Sequence, residues 1–472
     1  MIKRLKNLSQ QDKASFAYLI SNVVSKGIGF LTIPVFTRLL STAEMGTITV
    51  YNSWQSIFYV ILTLSLTSGS LNVGLLKYKV DRNRFLSCNA FLIFVSVTSF
   101  YFFLYFPLRN KMDSFLELSQ QVVLSLFLYS IFNASLECWY SKNRYEYKYK
   151  SVTAVSISCA LLSTFFSVFC VEYAKQNNLN NLADIKILSQ NAVIICFGIF
   201  FFFLIIKRGK CLYDKNIYKY SLELSIPLIF HSLAKNVLDI SDRLMISRLC
   251  GNSEAGIYGT VYTISTISLV VWSAINNALI PVMFEKLEEE DYDSLAPNLK
   301  KILLLFSGIA ILMTLLGPEL ISILTTKEYK SALDIIPAVS GGIFFTALYN
   351  IYGNVILFKE KSNYLMFATS GAAFLNIVLN YIFIKAFGYT AAAYTTLISF
   401  MFLAILQGIM QRLLLKRDII SFKFAFLLSA SVVTICLICL KLYNFNLIRI
   451  AFMLILFALL FFQKNKISLN YS

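Results

Sequence analysis

The chain has 472 residues, of which 57% are hydrophobic and only 14% charged, and its mean hydropathy is +0.68. That leaves too little polar surface to cover a soluble globular protein of this length. The net charge of +17 is spread through short connecting segments and not gathered on one face, so it does not point to nucleic acid. The apolar runs are continuous and about 17–25 residues long, the length of a membrane-crossing helix and not the alternating ~10-residue pattern of a barrel strand.

In chain order, the hydropathy predicts spans at 15–37, 48–71, 85–107, 119–140, 151–172, 185–206, 221–243, 256–281, 300–318, 332–358, 363–386, 389–411, 421–442 and 447–463. The first has no small-residue cleavage site and reads as an uncleaved helix. With the N-terminus placed in the cytoplasm, inside segments hold 28 of the 42 Lys and Arg residues and outside segments 12; Lys26 and Lys235 fall within spans. Cytoplasmic loops are enriched in basic residues, so the expectation is an even number of spans, about 14, with both termini cytoplasmic. The basic stretch from Lys142 to Lys150 reads as an inside loop with interfacial tyrosines, or as a grip on anionic membrane lipids. The run from Glu288 to Asp293 reads as a solvated inside loop.

Nine cysteines are present, most of them in apolar runs. Cys436 and Cys439 have CxxC spacing but no second pair, and the chain has one histidine, His231. They read as packed apolar sulfur, with no metal site and no cofactor expected, since zinc usually takes four ligands.

One internal repeat stands out. Arg38-Leu-Leu-Ser-Thr-Ala-Glu-Met-Gly46 aligns with Arg248-Leu-Cys-Gly-Asn-Ser-Glu-Ala-Gly256, and Thr49-Val50-Tyr51 with Thr260-Val261-Tyr262 after a one-residue slip. Each copy follows the first helix of a six-helix group, and both groups enter the membrane in the same direction. The pattern predicts a parallel repeat, all-α and polytopic: lobes at 1–212 (helices 1–6) and 213–412 (helices 7–12), with helices 13 and 14 at 413–472. Locally, Arg38 and Arg248 suit helix C-termini, and Gly46 and Gly256 are expected to permit tight turns. A substrate-binding role for the two arginines stands beside that reading.

At these residues, together with Lys26-Gly27, Pro34, Thr37, Asp242-Arg243 and the segment Gly251 to Gly256, the chain resembles the Wzx-type O-antigen and polysaccharide repeat-unit flippases. These belong to the multidrug/oligosaccharidyl-lipid/polysaccharide exporter superfamily. The organisation covers the whole chain, although the local motif is short. The resemblance implies two six-helix lobes in a V around a cavity, alternating access, and location in the bacterial cytoplasmic membrane. It implies as substrate an anionic oligosaccharide carried on undecaprenyl diphosphate, destined for O-antigen or capsule. A polymerase and a chain-length regulator are implied as partners.

Ionisable groups at membrane depth are costly and usually face a cavity or a partner. Lys26 lies about 12 residues, roughly 18 Å, into the first span, and Lys235 about 14 residues, roughly 21 Å, into the seventh. Both are expected to line a cationic cavity for the diphosphate or acidic sugars, with Arg38, Arg243 and Arg248 extending the field outward. Alternatively Lys26 snorkels and Lys235 is neutralised by Asp239, one turn away, which also spaces with Arg243 as a charge ladder. Asp239, Asp242 and Glu137 are the candidates for coupling to an ion. Pro227 and Pro337 fall inside spans, where each bends a helix, as a hinge or to fit its neighbours. His231 reads as packed and neutral.

Two other substrate classes fit the same superfamily. A multidrug antiporter would need an acidic site for organic cations, which Lys26 and Lys235 oppose. A lipid II flippase would share the anionic-lipid logic. A membrane glycosyltransferase or ligase should carry a large loop with clustered carboxylates or histidines. No loop here exceeds about 20 residues and no nucleotide, metal or triad motif is present, so the reading is a transporter and not an enzyme.

Overall fold

The computed structural model describes residues Gln10–Lys464, except for the side chains of residues 10–16, 19, 22 and 459–464. Lys3, Arg4, Lys6 and Lys466, and the side chains of Lys13 and Lys464, which contribute to the expected cytoplasmic placement of the termini, lie outside the described residues. All secondary structure among the described residues is helical.

Sixteen helices carry the description: α1 (Gln10–Leu39), α2 (Thr42–Leu62), α3 (Ser70–Lys77), α4 (Arg82–Leu116, with a π-helical turn over Tyr101–Tyr105), α5 (Gln120–Tyr145), α6 (Tyr149–Gln176), α7 (Leu182–Gly209), α8 (Lys215–Leu249), α9 (Asn252–Ser265), α10 (Ser268–Glu288), α11 (Tyr292–Leu324), α12 (Ile336–Phe358), α13 (Ser362–Phe387), α14 (Ala391–Leu415), α15 (Phe422–Lys441) and α16 (Asn446–Lys464). Each expected span overlaps helix. Ten helical segments among the described residues are long and apolar enough to cross a membrane. The helices outside that set are α1, α2, α3, α8, α9 and α16; α3, α9 and the apolar part of α16 (Asn446–Ala458) are shorter, and α8 carries Lys235, Asp239 and Asp242, which lower its hydropathy.

Two expected spans are broken. The second ends at Leu62 and restarts as α3 after a seven-residue turn; the eighth splits at Thr266–Ile267 into α9 and α10. Hydroxyl side chains cluster at both breaks and bond to nearby carbonyls, as Thr63 Oγ1 does to the Tyr59 carbonyl at 2.6 Å and Thr266 Oγ1 to the Thr263 carbonyl at 2.8 Å.

The repeat motif also differs from its expected form. Gly46 and Gly256 do not make turns; both are buried inside helices. The turn into α2 is instead stopped by a capping box, in which Ser41 N–H donates to Glu44 Oε2 (2.8 Å) and Glu44 N–H to Ser41 Oγ (3.2 Å). In the second copy Gly251, at φ +119°, sits before α9, and Glu254 again takes the third helical position.

The chain forms two compact units that divide within α8 after Asn236. In the first, α7 is the centre, packed on α2, α4, α5 and α6, while α1 lies along α6. The contact with α5 is close because residue 198 is glycine: a Cβ there would stand 2.3 Å from the Phe132 carbonyl oxygen. At one end, Cys88 and Cys211 bring their sulfurs to 3.6 Å. Beside them Arg84 donates to Asp214 at 2.7 Å. The Ile217 and Asn216 backbone N–H groups and the Arg84 guanidinium hold the Asp214 carboxyl below its ordinary range. In the basic stretch, Glu146 lies between Lys148 (2.6 Å) and Lys142 (3.5 Å).

In the second unit the centre is α12, which contacts α10, α11, α14 and α15. Pro337 falls in its first turn, after a 3-10 segment over Lys327–Ile335, where a missing N–H costs nothing. Pro227 lies inside α8. Arg449 is buried at the start of α16 and clamps it to α11 through Glu319, with further bonds to the Tyr443 carbonyl and Asn446.

Candidate functional site

The break after α2 builds a polar concavity in the first unit. Residues 63–70 read Thr-Leu-Ser-Leu-Thr-Ser-Gly-Ser. Leu64 and Ser65 adopt left-handed backbone (φ 50° and 53°), a conformation costing a non-glycine residue of order 1–2 kcal/mol. The turn survives because its backbone is satisfied: Ser65 N–H donates to the Val60 carbonyl (2.9 Å), Gly69 N–H to the Ser65 carbonyl (2.8 Å), and Ser70 N–H to Ser225 Oγ of α8 (3.0 Å). Glycine at 69 allows that approach, since a Cβ would lie 2.7 Å from Ser225 Oγ. Ser65 Oγ pairs with Ser68 Oγ at 2.7 Å and with Ser232 Oγ at 3.4 Å.

Between this turn and the first half of α8 is a cavity of about 420 Å³. The end of α2 and the turn contribute Tyr59, Thr63, Ser65, Thr67 and Ser68; α8 contributes Leu228, His231, Ser232, Lys235 and Asn236. Asn236 closes one end by donating to the Ser56 carbonyl at 3.0 Å. His231 and Lys235 are one turn apart on one face of α8. The Lys235 side chain is exposed and has no ion pair among the described residues, with Asp239 included. The His231 Nδ1 atom is buried without a hydrogen-bond partner among them. No carboxylate among the described residues lines the hollow. Lys235 is twenty residues along α8, roughly 30 Å from the start of a helix roughly 52 Å long, so the cavity lies near the middle of its length. Its walls offer one cation, one imidazole and several hydroxyls, a set suited to an anionic, hydroxyl-rich ligand and not to an organic cation.

The other sequence-derived candidates lie elsewhere. Lys26 is exposed on α1, beside Gly27 and Gly29, around which a Cβ would meet nothing within 4 Å, and it does not line this cavity. Arg38 is exposed at the end of α1, where Lys175 Nζ donates to its carbonyl (3.3 Å) and to that of Leu39 (2.9 Å). Glu137 of α5 is within electrostatic range of Tyr59 and of Arg144.

In the second unit, Asp242 is buried and accepts from the Tyr258 hydroxyl (2.6 Å) and the Arg243 N–H (2.8 Å). Arg243 lies 4.6 Å over the Tyr262 ring and donates to the Asp239 carbonyl at 3.1 Å. Arg248 is exposed near the end of α8. Next to this cluster runs a buried amide–hydroxyl network. Ser241 Oγ donates to Asn376 Oδ1 (3.1 Å), Asn376 Nδ2 to Thr396 Oγ1 (3.2 Å), Asn380 Nδ2 to Asn376 Oδ1 (2.9 Å), and Thr395 Oγ1 to Asn380 Oδ1.

Sequence reasoning found Lys235 but missed the turn that faces it. The signal was six hydroxyl or glycine residues among the eight from Thr63 to Ser70 inside an apolar run. It also missed the network at Asn376 and Asn380, whose i, i+4 spacing on an apolar helix is the available sign.

Comparison with known proteins gives one consistent picture. The sequence profile of the polysaccharide biosynthesis protein family matches residues 13–287, and that of the MatE family matches residues 227–382. The chain is similar to a capsular polysaccharide biosynthesis protein, CapF, of Staphylococcus aureus (24% identity, covering 82% of this chain and 95% of the relative). It is also similar to the Lsg locus putative protein 1 of Haemophilus influenzae (22%, covering 59% and 67%). A third relative is a probable low-salt glycan biosynthesis flippase, Agl15, of Haloferax volcanii (23%, covering 41% and 40%). Among solved structures, the fold is shared with the lipid II flippase MurJ in an inward closed conformation (TM-score 0.67, 15% identity, covering 96% of this chain and 99% of that one). It is shared as well with an inward-facing multidrug resistance MATE family transporter (TM-score 0.62, 12% identity, covering 83% and 94%).

Proposed function

Because the chain belongs to the polysaccharide biosynthesis protein family, we propose that it is a flippase for oligosaccharide repeat units carried on undecaprenyl diphosphate. It moves them by alternating access from the cytoplasmic to the outer leaflet of the bacterial cytoplasmic membrane, with both its termini in the cytoplasm. The glycan is destined for O-antigen or capsule, and a polymerase and a chain-length regulator act on it afterwards. No chemistry is performed on the substrate.

The observation that carries this reading is the cavity of the first unit: about 420 Å³, lined by hydroxyls, His231 and Lys235 and by no carboxylate. Small-molecule sites are typically of this size, roughly 300–1,000 Å³. In a low-dielectric wall a single uncompensated ammonium raises the local concentration of an anion. A diphosphate or an acidic sugar meets those demands; an organic cation is repelled, which disfavours the multidrug antiporter. Lys26, Arg38, Arg243 and Arg248 are proposed to attract the anionic head along its path, and Asp239, Asp242 and Glu137 to couple transport to an ion.

The test is a deletion strain. Lipid-linked repeat units should accumulate, confined to the cytoplasmic leaflet, and reintroducing the gene should clear them. Accumulation in the outer leaflet, or of an incomplete repeat unit, would place the defect before or after translocation and refute the proposal.

A further inference from the structure

The first unit has a second polar hollow, which the transport reading does not use. It is small, about 40 Å³, and lies where α2, α5 and α7 meet. Its wall contains Asn52 from α2, Tyr129 from α5, and Lys186 and Gln190 from α7. Lys186 is in the second turn of α7, roughly 6 Å along that helix.

Two sets of polar groups meet here. One is tied together: Asn191 Nδ2 donates to the Tyr51 hydroxyl (2.5 Å) and to Ser125 Oγ (3.0 Å), and Gln55 Nε2 donates to the same hydroxyl (3.0 Å). This knot fixes α2, α5 and α7 against one another. The other set is unsatisfied by protein. The side chains of Asn52, Gln190 and Tyr129 make no hydrogen bond to another described residue. Lys186 has no carboxylate within 4 Å among the described residues, and its ammonium lies 5.5 Å from the centre of the Phe36 ring.

The Lys186 ammonium, half-buried, lacks a counter-charge, and the half-buried Gln190 amide and Tyr129 hydroxyl and the exposed Asn52 amide lack protein acceptors among the described residues. One occupant relieves both. A positive charge ringed by donors, with no carboxylate in the wall, selects an anion over a cation. The volume sets the size: a water needs about 10–15 Å³ of such space, whereas sugar-sized ligands need several hundred. Neither a sugar nor a diphosphate fits.

We propose that this hollow is a binding site for a small monovalent anion, chloride being the probe of choice, with Lys186 as counter-charge and the Asn52 and Gln190 amides and the Tyr129 hydroxyl as donors. Because α7 is the centre of the unit, an ion bound here stabilises the packing of α2 and α5 on it.

The experiment uses the purified full-length protein in nanodiscs. Equilibrium binding of radiolabelled chloride is measured, along with the melting temperature in sodium chloride against sodium gluconate at equal ionic strength. The expected result is one saturable site per chain and a higher melting temperature in chloride. Lys186→Met should weaken binding by at least about tenfold and abolish the chloride-specific shift. Lys235→Met should retain both, which separates this site from the larger cavity. If Lys186→Met does not fold, Gln190→Leu is measured in its place and should weaken binding with the lysine retained. Absence of saturable binding to the native protein, or unchanged chloride affinity in the folded variant, overturns the proposal.

Discussion

Replacing Lys235 by methionine removes one positive charge from the larger cavity while keeping most of the side chain's length. A unit charge about 4 Å from an anionic oxygen is worth about 1 kcal/mol in bulk water and about 4 kcal/mol at an effective dielectric near 20. Lys235 is exposed within its hollow, so water screens it and the lower part of that range applies, about 1–2 kcal/mol. This converts to a drop of about 5- to 30-fold in the rate of glycan export. Lys235→Arg keeps the charge and should retain most of the rate. The assay is complementation of the deletion strain, with surface glycan and accumulated lipid-linked intermediate quantified and protein abundance matched by immunoblot. Export at the native rate in Lys235→Met at native abundance would refute the reasoning, as would an equal loss in methionine and arginine variants.

Other outcomes follow from the packing. Gly198→Ala places a Cβ 2.3 Å from the Phe132 carbonyl oxygen; the overpacking, about 1–3 kcal/mol, exceeds the ~1 kcal/mol gain in helix propensity, so the melting temperature should fall. Glu319→Ala leaves the buried Arg449 guanidinium without its carboxylate and should destabilise by about 3 kcal/mol, read by thermal unfolding; an unchanged midpoint would contradict the clamp. Mild oxidation should join Cys88 to Cys211, whose sulfurs are 3.6 Å apart, and peptide mapping would detect the link. Asp214 has its folded carboxyl pKa lowered, chiefly by the Ile217 N–H, so its contribution is present above the unfolded value, about 3.9, and is lost as pH falls through the lower folded value. The difference in melting temperature between native protein and Asp214→Asn should therefore be present near pH 6 and shrink toward about pH 3.

Periodicity and length made the helices legible, because hydrocarbon leaves a chain of this composition no other regular structure. The breaks were not. The run from Leu62 to Leu71 lies inside a longer apolar stretch; its hydroxyls and Gly69 are the local sign of a break, and the left-handed backbone at Leu64 and Ser65 gives the turn its shape. The Gly46 and Gly256 expectation failed for a related reason. Glycine can open a turn or allow close helix packing, and the neighbouring Ser-x-x-Glu capping signal, present in the sequence, decides between them. Lys235 was legible as a charge within a span. Lys186 and Arg449 fall near the starts of their spans, where no local pattern shows whether a charge faces water or protein. What surrounds each lysine depends on side chains more than a hundred residues away, which no local pattern encodes.

Reconstitution tests translocation of a lipid-linked anionic glycan. The purified protein is placed in liposomes whose inner leaflet alone holds undecaprenyl-diphosphate-linked oligosaccharide, and its appearance outside is followed with an impermeant glycan-modifying enzyme. Appearance outside should depend on the protein and slow in Lys235→Met. Rates equal to those of protein-free liposomes would contradict it.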